Sequence, residues 1–118
     1  MKRLIVTAPG PDVKACKIEI ETVDVPEIGP GEVLVKMAAA PINPSDYGSW
    51  YRAKRSPDQY PFAIGNEGSG VVVALGGGLT TGFTCRVGAK VGVIGLKKKQ
   101  GTYSEYVVAQ AIGGIFPL

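Results

Sequence analysis

Apolar residues along this chain come in short runs, and none keeps a helical period for long. Residues 2–7 (Lys-Arg-Leu-Ile-Val-Thr) are an apolar, β-branched run closed by Pro9-Gly10-Pro11, which predicts a strand. Residues 17–25 alternate with period two, Ile18, Ile20 and Val23 against Glu19, Glu21 and Asp24, with one slip at Thr22. That spacing predicts a second strand with one wet face. Gly29-Pro30-Gly31 reads as a turn, with Pro setting φ and Gly supplying positive φ. A third strand is expected over residues 32–40, and its alternation fades toward the end.

The next segment changes period. Pro41-Ile42-Asn43-Pro44-Ser45-Asp46 has the grammar of a helix start. Asn43 suits the cap and Pro44 the first helical position, while Asp46 falls third, where a carboxylate meets free N–H groups and the positive end of the helix dipole. A short helix over about residues 44–52 follows. Its stretch Tyr47-Gly48-Ser49-Trp50-Tyr51-Arg52 is aromatic but poor in strong helix formers, so tertiary contacts must hold it, and it is a candidate pocket wall. After a polar loop over 53–60, Gly65-Asn66-Glu67-Gly68-Ser69-Gly70 leads into a strand over 71–75 that Gly76-Gly77-Gly78 ends. Further strand-like runs cover 90–94, 103–109 and 112–116. Seven short strands with one helical insertion, no internal repeat and no βαβ alternation predict a mainly β chain folded as a partly open antiparallel barrel with one or two short helices.

Composition narrows this reading. At 118 residues the chain is sized for one domain spanning residues 1–118, and its 17 Gly and 9 Pro favour turns between strands over helices. The net charge of +3 is mild, and the one dense basic run, Lys97-Lys98-Lys99, lacks interleaved aromatics. It is read as a solvated loop tip, and no nucleic-acid partner is expected. No apolar stretch approaches the ~20 residues that span a bilayer, so no membrane partner is expected and the compartment is read as cytoplasmic. Two cysteines far apart, Cys16 and Cys85, suggest neither a disulfide framework nor a zinc knuckle, and a reducing compartment fits them. The chain has no histidine, which removes the commonest acid/base residue and the commonest zinc ligand together.

Two glycine runs invite a phosphate-binding reading. Gly76-Gly77-Gly78 is followed by no Lys-Ser/Thr, and a tight strand connection explains it better. Gly65 to Gly70 precedes a strand, whereas a dinucleotide fingerprint follows one and opens a helix.

Four runs, taken in order, carry a resemblance. Ala40-Pro41-Ile42-Asn43-Pro44-Ser45-Asp46, Gly65-Asn66-Glu67-Gly68-Ser69-Gly70-Val71-Val72, Arg86-Val87-Gly88-Ala89-Lys90-Val91 and Gly101-Thr102-Tyr103-Ser104-Glu105-Tyr106 resemble the N-terminal, GroES-like domain of medium-chain dehydrogenase/reductases. Within that superfamily the chain looks most like the zinc-free quinone oxidoreductases and the 2-enoyl thioester reductases. The resemblance covers nearly the whole chain and implies that a nucleotide-binding Rossmann domain, absent from these residues, would complete the enzyme. In zinc-dependent members the positions of Asn43 and Asn66 carry Cys and His ligands. Here both are neutral amides, poor ligands for Zn²⁺, so no metal is expected.

The resemblance implies an NADPH-dependent reduction of quinones or conjugated enones, a small-molecule substrate and no zinc. Asn43 and Asn66 are then candidate cofactor contacts, Ser45, Tyr47 and Tyr51 candidate catalytic hydroxyls, and Trp50 and Glu67 candidate pocket residues. The bland readings run alongside: Asn43 as a helix cap, Asp46 as a structural hydrogen-bond acceptor, Glu67 as a buried partner at the barrel mouth, Trp50 as core. In enoyl thioester reductases a Tyr in the following loop donates a proton, and an ungapped count puts Lys54 there, which moves the preference toward quinones or enones. Enoyl thioester reduction and a non-enzymatic GroES-like binding module stay open, as do a homodimer and a mitochondrial location for a longer parent protein. The isolated 118 residues are expected to be inactive.

Overall fold

The computed structural model describes residues 1–8, 10–12, 14–51, 55–79 and 85–118. Among the described residues, eight strands, one α-helix and one 3-10 turn follow each other as β1 (Lys2–Ala8), β2 (Lys17–Thr22), β3 (Glu32–Ala39), α1 (Pro44–Tyr51), the 3-10 turn Pro57–Gln59, β4 (Phe62–Ala63), β5 (Glu67–Leu75), β6 (Lys90–Ile94), β7 (Tyr106–Gln110) and β8 (Ile115–Pro117). All pairings are antiparallel and form a three-stranded sheet, β2-β1-β4, and a five-stranded sheet, β7-β3-β5-β6-β8. The expected mainly β, partly open antiparallel architecture with one or two short helices is observed as a curled, open half-barrel carrying one α-helix among the described residues.

Residues 101–105 join the two sheets. Leu4 N–H donates to the Tyr103 carbonyl (2.8 Å), Glu105 N–H to the Lys2 carbonyl (3.0 Å) and Met37 N–H to the Glu105 carbonyl (2.8 Å). These bonds explain why the run expected as a strand from residue 103 becomes β7 only at Tyr106: its first part bonds β1 and β3 by turns instead of running along one neighbour.

The larger core lies on the inner face of the five-stranded sheet, where Val33, Val35, Val72, Val91 and Val93 are fully buried. Alternation of Val72, Val91 and Val93 with outward neighbours puts every second residue there. A second cluster, built on Val6, Cys16, Trp50 and Ile64, packs α1 against the smaller sheet. As the weak helical propensity of its sequence requires, α1 is held by this packing.

Several expectations shift. β5 starts at Glu67, four residues earlier than its valine run. Gly68 pairs with Val93 of β6 and Gly70 lies in the β3–β5 ladder; a Cβ at Gly70 would meet the Lys36 carbonyl oxygen at 2.3 Å and one at Gly68 the Ala39 carbonyl oxygen at 2.6 Å. The glycines therefore permit close strand approach and do not precede the strand. β2 ends at Thr22, where the alternation slips, and it does not bury its apolar face: Ile20 is 68% exposed and Ile18 37%. It sits at a sheet edge and pairs only with β1, so nothing covers those side chains among the described residues. The last strand begins at Ile115 because residues 111–114 first turn through Gly113 at φ 83°, with Gly114 N–H on the Gln110 carbonyl. β4, two residues long, left no pattern to read.

The lysine turn is anchored. Lys98 Nζ lies 2.8 Å from the Glu32 carboxylate, which also accepts from Gly29 N–H (2.8 Å) and Gln110 Nε2 (3.1 Å). Together these donors hold the Glu32 pKa below its ordinary value, the Lys98 bond contributing most. Lys98 is thus a tether and not only a solvated tip.

Candidate functional site

The site forms where β3 runs into α1. Pro41 and Pro44 flank this loop, and each removes a backbone donor, so ladder bonds cannot fix it. Asp46 supplies the anchor. Only 1% exposed, it accepts from Asn43 N–H through Oδ2 (2.7 Å) and from Asn66 Nδ2 through Oδ1 (2.8 Å). The first bond is the return half of a capping box, made by a third-position carboxylate on the residue before the helix. The second reaches across to the turn that opens β5. The structural reading of Asp46 therefore describes its contacts.

The side chain of Asn43 turns to β5, where its Nδ2 donates to Glu67 Oε1 at 3.1 Å. Because an ionised carboxylate only accepts, each amide must face it with nitrogen, which leaves each Oδ1 as an acceptor. The two asparagines and two carboxylates thus make one hydrogen-bonded cluster. Glu67 lies exposed at its rim, not buried, and Asn66 is exposed as well.

A residue that spacing did not single out completes the cluster. Tyr103 donates its hydroxyl to the Pro41 carbonyl (2.8 Å) and sets its ring edge-on to Trp50, with centroids 6.1 Å apart at 76°. Burial and the neighbouring Asp46 charge push its phenol pKa up to about 12. It lies 57 positions from Asp46 in sequence, and no local pattern links two residues so far apart. The Gly101 to Tyr106 run was the only signal for it.

The remaining candidates are spread over α1. Trp50 is 7% exposed and belongs to the core beneath the helix, with Tyr47 edge-on to it at 6.3 Å and Tyr51 packed on the same cluster. Ser45 is exposed in the first turn. An open recess of about 520 Å³ runs from Ala39 through Pro41 and Glu67 to Phe116, beside the cluster. Lys54, the position aligned with a proton-donating Tyr, lies outside the described residues. Among the described residues no group of three or more His, Cys, Asp or Glu side chains is placed to share a metal ion, and no helix is long and apolar enough to cross a membrane.

Comparison with known proteins places the chain's fold and sequence in a family. A mitochondrial enoyl-[acyl-carrier-protein] reductase of Bos taurus is 43% identical over 63 residues, which cover 53% of this chain and 17% of that protein. The quinone oxidoreductase of Coxiella burnetii superposes with a TM-score of 0.78 at 27% identity, over 99% of this chain and 36% of that one. A mycobacterial protein solved with NADPH superposes with a TM-score of 0.76 at 27% identity, over 100% of this chain and 34% of that one. The chain therefore spans a sixth to about a third of the length of these relatives. Residues 29–118 match the alcohol dehydrogenase GroES-like domain family. With the half-barrel, the family match and these relatives in agreement, the chain belongs to the alcohol dehydrogenase GroES-like domain family, as an N-terminal domain of the medium-chain dehydrogenase/reductase type.

Proposed function

We propose that this chain forms the substrate-side wall of an NADPH-dependent oxidoreductase that reduces quinones or conjugated enones without zinc. The observation that carries the reading is the pair of amides at positions 43 and 66, each hydrogen-bonded through nitrogen to a carboxylate. Where zinc-dependent relatives would hold the ion, this chain offers neutral amide oxygens, which bind Zn²⁺ poorly beside thiolate or imidazole. Carbonyl activation then falls to hydrogen-bond donors, with Ser45, Tyr47 and Tyr51 of α1 as the candidate hydroxyls.

The donor set suits one side of a nicotinamide cofactor. Neutral acceptors at Asn43 and Asn66 match ribose hydroxyls or a carboxamide N–H. No glycine-rich strand–turn–helix for a pyrophosphate is present among the described residues, so that contact would come from outside this chain. When bound, the nicotinamide supplies the hydride. The chain's own part is to orient the acceptor over it and to hold Asn43 and Asn66 through Glu67 and Asp46. A neighbour of the same fold solved with NADPH supports the cofactor, and the quinone oxidoreductase neighbour supports the acceptor class.

The bovine relative favours a second reading, reduction of 2-enoyl thioesters. Steady-state NADPH oxidation by the polypeptide that carries this domain, with a quinone, an enone and an enoyl thioester side by side, separates the two. Activity lost to a chelator and restored by Zn²⁺ would overturn the metal-free reading. A preference for the thioester would replace the acceptor class. The 118 residues alone are expected to show no turnover.

A further inference from the structure

Tyr103 is clamped at both ends. Its main chain is tied to β1 and to the turn before β5, with its N–H on the Ile64 carbonyl (3.1 Å) and its carbonyl on Leu4 N–H (2.8 Å). Its side chain reaches from this rigid base to the β3–α1 loop. That loop carries Asn43, and two prolines have stripped its backbone of donors, so its main chain can be held from outside only through its carbonyls and the few N–H groups left, beside the side-chain bond of Asn43 to Glu67. The Tyr103 hydroxyl takes the Pro41 carbonyl (2.8 Å) and the Asp46 carboxylate takes the Asn43 N–H (2.7 Å). The loop is therefore pinned at two points two residues apart, and the Asn43 amide emerges from the pinned stretch. The ring's edge contact with Trp50 limits how the phenol can swing.

We infer that Tyr103 is a positioning residue of the site: its hydroxyl bond to the Pro41 carbonyl fixes the β3–α1 loop and so sets where the Asn43 amide stands. Its role in turnover rests on the function proposed above, whereas its role in holding the loop does not. The phenol stays protonated at neutral pH, with its pKa up at about 12, so it remains a donor under all working conditions. The bond is local in effect: its loss frees the loop without opening either sheet.

Tyr103→Phe keeps the ring on Trp50 and removes only the donor. In the chain itself, hydrogen exchange at Asn43 N–H should quicken about tenfold, the scale of one lost neutral hydrogen bond, while β3 and β5 ladder amides keep their rates. Unchanged exchange at Asn43, or a rise shared by the ladders, overturns the inference whatever the activity. In the polypeptide that carries the domain, kcat should fall about tenfold and the NADPH dissociation constant should rise as well, since the misplaced Asn43 amide is a proposed cofactor contact and misplacement of a positioned group acts on the reacting geometry. Combined with Asn43→Ala, Tyr103→Phe should add nothing further, because both changes act through the same amide. Multiplying effects would show that Tyr103 acts by another route and overturn the positioning role. If exchange responds as expected but no NADPH-dependent reduction occurs with any acceptor, the loop-holding role stands and the proposed function falls.

Discussion

The side-chain amide of Gln100 bonds both backbone groups of Val108, Nε2 to the carbonyl at 2.9 Å and Oε1 from the N–H at 2.8 Å. One side chain thereby supplies what a neighbouring strand would supply to the outer edge of β7. A bare strand edge is a template for pairing with another chain, and this contact closes the edge at its middle residue.

Gln100→Ala should therefore lower stability by about 1–3 kcal/mol, because Val108 is buried and both of its polar groups lose their partner. Denaturant titration followed by far-UV circular dichroism measures it. Light scattering should also show more self-association on warming than in the unsubstituted chain.

Glu32 sets an acid limit. Its folded-state pKa is lowered from the ordinary 4.5 by Lys98, Gly29 and Gln110. A carboxyl with a depressed pKa contributes stability above its unfolded value, and that contribution is lost as pH falls through the folded value. Thermal midpoints should decline below about pH 4.5, and Glu32→Gln should flatten that decline. An identical acid profile in the variant would show that other carboxyls dominate.

The alkaline side belongs to Tyr103. Its pKa is raised from 10.0 to about 12, so the folded state favours the neutral phenol. The resulting stability is complete below pH 10 and drains away as pH rises toward about 12. Absorbance at the tyrosinate band should show the Tyr103 phenol titrating late. Burial is the largest cause and Asp46 the next, so Asp46→Asn should bring that titration to lower pH without restoring the ordinary value.

Two backbone positions give opposite expectations. Gly70→Ala would set a Cβ 2.3 Å from the Lys36 carbonyl oxygen, at a buried position of the β3–β5 ladder, and should cost about 1–3 kcal/mol. Lys99 holds φ 56°, in the left-handed region. Lys99→Gly relieves that strain and should stabilise by up to about 1 kcal/mol, leaving the Lys98–Glu32 pair in place. Urea midpoints for the two variants should move in opposite directions.

Much of the architecture was legible in local spacing. The β-branched run over residues 2–7, the turn at Gly29-Pro30-Gly31 and the Asn-Pro-Ser-Asp helix start stand at β1, before β3 and at α1. These features are legible because φ preferences, missing donors and period-two burial act between residues a few positions apart. β2 shows the limit. Its alternation is clean, yet Ile20 is 68% exposed, since alternation states which side chains share a face and not whether anything covers it.

The candidate site divides in the same way. The amino-acid sequence by itself determined the chemistry available: amides at 43 and 66, a carboxylate at the third helical position, no histidine, and prolines that leave the β3–α1 loop without ladder bonds. Only the tertiary structure decided which groups meet. It brought Asn66 to Asp46 across 20 positions, Lys98 to Glu32 across 66 and Tyr103 to Pro41 across 62. Such contacts depend on how two sheets and a joining segment close on one another, a geometry that no repeat of spacing along the chain encodes.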